Sequence, residues 1–257
     1  MMKFFNRLRR QLLEKNNLKK YLLYALGEIV LVVIGILIAL AINNAQQENE
    51  IKRKEITYLS GLQKEFEISK KKLATLIEVN RANYKGATQV VSLLADPGSN
   101  PDEKELSQLI FRSLYNDIAF NPNNALLNEM IHSGSLKDLS STTLRKNLTN
   151  WLSTLEDIAK QEADLMSHRD HVLDMMRTND GHLRSILHYA DTSQSLFSLP
   201  ADASPESNMT LFRSPAFENN LLLFILSGQS TEKAHYLPLM TDLEQILNLI
   251  ENSIADQ

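Results

Sequence analysis

The chain opens with a contrast between one wholly oily stretch and a long run of spaced apolar positions. Residues 21–42 read YLLYALGEIVLVVIGILIALAI, with Glu28 as the single charge and the last fourteen positions all apolar. A helix of that length rises about 33 Å, close to the hydrocarbon thickness of a bilayer. A soluble core helix rarely stays apolar on every face for so long. The stretch therefore predicts one transmembrane helix at 21–42.

Beyond it the pattern changes to 3- and 4-residue spacing. Leu59, Leu62, Phe66, Ser69, Leu73, Leu76, Asn80 and Asn83 form a seam of heptad type with three polar breaks. A helix over about 46–95 follows, able to run on directly from the membrane segment and stopped by Asp96-Pro97-Gly98-Ser99-Asn100-Pro101. A second helix is expected at about 102–117. Asn121-Pro122-Asn123-Asn124 reads as a turn and N-cap, and a short helix at 125–132 ends at Ser133-Gly134. After a brief turn at 136–139, Ser140, Ser141 or Thr142 caps a long helix reaching Met176. Its inner face is Leu144, Leu148, Trp151, Leu155, Ile158, Leu165 and Val172. A short helix is expected at 182–189 and a loop at 191–213. Ser214-Pro215 opens a further helix that Gly228 ends, and a last one carries Tyr236, Met240, Leu243, Leu247, Ile250 and Ile254. No stretch alternates with strand period. The predicted class is all-α: an N-terminal transmembrane helix followed by an antiparallel helical bundle with a long first helix.

Charge adds an orientation. Residues 1–20 carry seven Lys or Arg against Glu14, a net of +6, whereas residues 43–257 carry 20 basic and 29 acidic groups, a net of −9. Within the tail Phe4, Phe5, Leu8 and Leu12 share one helical arc, with Lys3, Arg7 and Arg10 opposite. That is an amphipathic helix for an anionic leaflet. The next cations, Lys52, Arg53 and Lys54, lie ten residues past the apolar stretch. The positive-inside rule then places residues 1–20 in the cytoplasm and 43–257 across the inner membrane, in the periplasm. An acidic domain is a poor polyanion ligand, so no nucleic-acid partner is expected. Cysteine is absent, which excludes disulfides and thiolate metal sites. Ala39-Leu40-Ala41 fits a signal-peptidase pattern, but the apolar stretch exceeds the usual signal length, favouring an uncleaved anchor.

Two features of the membrane segment bear on packing. Gly27, Leu31, Gly35 and Ala39 recur every fourth residue, and Gly35 with Ala39 makes a small-xxx-small pair that lets helices approach closely. Ordinary glycine content of membrane helices gives the same pattern. Glu28 is an intramembrane carboxylate, hence a functional candidate. Its shallow depth makes snorkelling toward the headgroups and Lys19 or Lys20 the stronger reading.

The stretch YALGEIVLVVIGILIALAINN and the start MMKFFNRLRRQLLEKN resemble an uncharacterised single-pass membrane family common in Bacteroidota. NNALLNEMIHSGSLKDLSSTTLRKNL and Pro215-Ala216-Phe217-Glu218-Asn219 extend the similarity. The chain departs from that family where Ala41 and Ala45 replace the usual Gln and Trp, losing an interfacial anchor. The resemblance implies an inner-membrane location and a helical periplasmic domain. It brings no activity, cofactor or catalytic residue.

Little chemistry is legible. Asp164, His168 and His171 have spacing that permits convergence on a metal such as zinc, but the spacing alone is a weak signal and a solvated helix face is the better reading. No HExxH, GxSxG or phosphate-binding glycine loop occurs. His132, His182, His188 and His235 stand alone, and the Asn147 and Asn208 sequons match a pattern common by chance. The expected function is non-enzymatic: a membrane-anchored interaction or scaffold protein with no cofactor, meeting the lipid bilayer and either an envelope partner or a second copy through the 59–83 seam. The same seam can instead pack within its own bundle. The alternatives are a ligand sensor coupled through the membrane helix to a cytoplasmic partner, and an envelope hydrolase using His168 and His171.

Overall fold

The computed structural model describes residues 18–177, 181–190 and 206–256. Residues 1–17 of the basic tail at 1–20 and residues 191–205 of the loop expected at 191–213 lie outside the described residues, and the described end of that loop holds a single helical turn at Met209–Phe212. The elements are α1 (Leu18–Ala95), α2 (Glu103–Leu114), α3 (Ala125–His132), a 3₁₀ turn (Ser135–Asp138), α4 (Thr142–Arg177), α5 (Leu183–Tyr189), α6 (Met209–Phe212), α7 (Pro215–Thr231), a π-helical segment (Glu232–Tyr236) and α8 (Leu237–Ala255). Among the described residues there is no strand. The chain divides into two compact units, 1–56 and 57–257, and the division falls inside α1.

In the first unit α1 carries the apolar stretch, and one part of it is long and apolar enough to cross a membrane. Leu31 is 72% exposed and Ile34 50%, so these side chains contact no core of their own.

The second unit is an antiparallel helical bundle. The seam of α1 faces inward: all eight of Leu59, Leu62, Phe66, Ser69, Leu73, Leu76, Asn80 and Asn83 are buried. The reading in which it packs within its own bundle holds, and the seam is not available to a second copy. Of the seven predicted inner positions of α4 six are aliphatic; five of these are buried and Leu155 is half-buried, while Trp151 is buried beside Phe66. α4 packs along α7 and α8, and α2 against α5.

Helix ends follow local chemistry. Asp96 closes α1 by accepting from Gly98 N at 2.9 Å. Asp102 caps α2, Ser141 caps α4 and Ser214 caps α7, the last with Pro215 in the first turn. Gly134 has φ +71°, the left-handed turn that follows α3 and that a side chain disfavours. α3 departs from expectation. Asn124 does not cap it; Glu65 of α1 reaches across, accepting from Leu126 N at 2.8 Å and Leu127 N at 3.4 Å. A carboxylate at a helix N-terminus meets both its free N–H groups and its dipole.

Gly228 does not end its helix. α7 runs to Thr231 and passes through the π-helical segment into α8. Pro238 explains the irregularity. It lacks an N–H and its ring would meet the carbonyl one turn back, so a regular helix cannot continue through it. A wider turn just before it relieves that clash, with Leu237 N–H donating five residues back to Glu232 O. Gly228 instead makes room: a Cβ there would lie 3.2 Å from Tyr84 Cβ and 3.4 Å from Asn80 Oδ1. Gly228→Leu is therefore expected to destabilise the bundle by about 1–3 kcal/mol through overpacking. A urea midpoint equal to or above that of the parent chain would contradict the close contact.

Candidate functional site

Polar side chains are buried where α1, α4 and the π-helical segment meet. The π turn sets Glu232 and Tyr236 inward together, and both are buried. Tyr236 Oη donates to Glu162 Oε1 at 2.7 Å, and Phe120 N donates to the same oxygen at 2.9 Å. Arg81 of α1 donates to Glu232 Oε1 from Nη2 at 2.6 Å and from Nε at 3.0 Å, while its Nη1 reaches Glu78 at 2.9 Å. Asn80 Nδ2 donates to Gly228 O at 2.9 Å, and Gln161 Nε2 to Thr231 Oγ1 at 3.2 Å. Asn80 Oδ1, Asn83 Nδ2 and Glu232 Oε2 are buried without a hydrogen-bond partner.

The electrostatics follow from burial. Desolvation pushes the Glu162 carboxyl above its usual range, outweighing the two donors that favour its charged form. The Tyr236 phenol is pushed up, first by burial and then by the adjacent Glu162. Tyr84 is raised by burial and by nearby Glu232. Hydrogen bonding and charge from Glu232 raise the Arg81 guanidinium, which is charged in any case. In this belt Tyr236 donates to Glu162 and Arg81 pairs with Glu232. It ties three elements together.

Glu162 gives a pH prediction. Its folded carboxyl binds a proton more tightly than an unfolded one. Between the ordinary carboxylate range and the raised folded value, the unfolded chain loses its proton first, so this group's contribution falls as pH rises through that window and is flat above it. Glu162→Gln keeps an oxygen for Tyr236 and Phe120 while removing the buried charge. Thermal unfolding of the variant is expected to vary less with pH across that window and to be no lower at neutral pH. A variant whose deficit is larger at pH 7 than at pH 4 would show that the site prefers the charged form.

The residues singled out from sequence are not gathered here. Asp164 and His171 lie exposed on α4 and His168 is half-buried; His171 Nδ1 contacts Ser167 O at 2.6 Å within its own helix. Among the described residues no group of three or more His, Asp and Glu is placed to hold a metal, and Asp164, His168 and His171 lie along one helix without converging. His132 bonds Asn128 O in the same way. Asn208 is fully buried, clamped to His182 and Glu103, and is no glycosylation acceptor as folded. Gly27 and Gly35 have nothing within 4 Å of the Cβ position, and Glu28 and Ala39 are exposed. Within one chain these four positions pack against nothing.

The belt itself was missed. Glu162 reads in sequence as one more acid on a helix surface, and Asn80 and Asn83 as seam breaks. Pro238 was the available signal, because a proline inside an apolar helical pattern forces a local departure that re-aims its neighbours.

A second feature is an apolar cleft of about 210 Å³ between α2, α4 and α5, with Arg169 at its wall. It shares no lining residue with the belt.

No curated protein and no solved structure matches the chain. Residues 28–163, slightly more than half of its length, match one protein family. The matched region begins inside the apolar stretch of α1 and ends in α4 just past Glu162, so it takes in Arg81 and Glu162 but not the π-helical segment. By that match the chain belongs to DUF6090, a family of unknown function.

Proposed function

We propose that this chain is a single-pass protein of the bacterial inner membrane, with its basic tail in the cytoplasm and its helical bundle in the periplasm as a non-enzymatic interaction domain. One observation carries the reading: among the described residues, the large aliphatic side chains of the apolar stretch of α1 are exposed from Leu22 through Ile42, so their burial must come from outside the chain. Lipid supplies that burial, and charge asymmetry sets the direction. The buried carboxylates support a structural rather than a catalytic role, since Glu162 and Glu232 are each held by neighbouring donors. The outer face of α7 exposes Leu222, Leu223 and Leu226, which suits a protein partner.

A ligand-sensing role is the second reading, favoured by the apolar cleft with one cation beside it. The test of the first reading has two arms. Protease added to spheroplasts is expected to remove the bundle, and a photo-cross-linking residue at position 226 is expected to trap a discrete envelope protein. A bundle protected until lysis sinks the orientation. A chain that cross-links to nothing at 226 sinks the α7 interaction face.

A further inference from the structure

The cleft between α2, α4 and α5 is walled by Ile110, Leu114, Leu173, Met176, Leu183 and Ile186. Arg169 is the charged member of its lining. Its guanidinium is incompletely used. Nη1 donates to Asn116 O at 3.0 Å. Nε is buried and has no hydrogen-bond partner. Two carboxylates lie nearby, Asp117 and Asp170, each at 3.8 Å and each well exposed. Charge-assisted bonds run at about 2.7–2.9 Å, so both pairs are loose and water-screened.

We propose that this cleft binds a short aliphatic carboxylate, its chain among the leucines and its head group on Arg169. The apolar wall selects against polar metabolites, and the cation selects against amines. A guanidinium supplies the charge that a carboxylate head group needs. Volume limits the chain. An apolar cavity of about 150 Å³ accommodates benzene, and drug-sized sites begin near 300 Å³, so about 210 Å³ takes a medium-length chain and not a diacyl lipid. The proposal stands on the bundle alone and does not depend on where α1 is anchored.

The test uses the full-length chain in phosphatidylcholine nanodiscs, titrated with octanoate by calorimetry and corrected with empty nanodiscs. Octanol and octylamine are the neutral and cationic controls. Octanoate is expected to saturate one site, octanol to bind at least about tenfold more weakly for want of the charged hydrogen bonds, and octylamine not to saturate. Arg169→Met should weaken octanoate by about the same factor and leave octanol unchanged. Leu183→Trp, at the half-exposed rim, should block both while the unfolding midpoint stays that of the parent. Absence of saturable octanoate binding, equal binding of octanol, or an Arg169→Met chain that binds octanoate like the parent would each overturn the proposal.

Discussion

Replacing Ile34 and Leu37 together by arginine is expected to release the chain from carbonate-washed membranes. Each arginine at the centre of a spanning helix costs about 2.5–3.5 kcal/mol on insertion scales, so the pair costs about 5–7 kcal/mol, before counting the two apolar side chains lost. That shift exceeds a thousandfold in partition. Both positions are exposed in the isolated chain, so the change removes no internal contact and the bundle should stay helical by circular dichroism. Ile51→Arg is the control: it is also an exposed apolar position on α1, but it lies beyond the oily stretch and should leave retention unchanged. Retention of the double variant in the washed pellet would show that lipid does not hold this segment. The mass of the parent chain separates the cleavage alternative, since processing at Ala41 would leave a chain lacking the segment altogether.

How far the pattern of residues foretold the molecule depends on the range of each interaction. The faces of α1 and α4 were readable because a helix repeats every 3.6 residues and leucine spacing records which side meets the core. Stops and starts at Asp96-Pro97, Ser133-Gly134 and Ser214-Pro215 were readable because each closes locally. Gly228 was misread for a physical reason: glycine serves equally to end a helix and to admit a neighbour, and only Tyr84, more than a hundred residues earlier, decides. The cap on α3 was invisible in the same sense, because Glu65 supplies it from another helix. The last helix also differs in detail. Leu239 and Ile246 are buried while Met240 and Ile254 are half-buried, so the buried stripe differs from the six positions expected of that helix. The polar belt and the cleft required the fold itself. One arises where three elements bury polar groups together, the other where three helices leave a gap.

Trp151→Ala is expected to be the most destabilising single change within the bundle. Trp151 is the chain's one tryptophan and is buried. Its ring lies 5.2 Å from Phe66 at a tilt and 6.2 Å from Phe120 edge-on, two favourable aromatic geometries. Its Nε1 donates to Asn124 Oδ1 at 3.1 Å, which explains why that asparagine is not spent on capping α3. Truncation removes all three and opens a cavity, a cost of about 3–5 kcal/mol. Against a total of about 5–15 kcal/mol for a domain, the variant should unfold at markedly lower urea. Trp151→Phe separates the two contributions, because it keeps most of the ring and loses only the donor, for about 1–3 kcal/mol. Circular dichroism of the full-length chain is the suitable measurement, since fluorescence disappears with the residue. Alanine should cost more than phenylalanine by the value of the packing. Equal losses would mean that the bond to Asn124, which sets the turn ahead of α3, holds this corner of the bundle and that the aromatic cluster adds little.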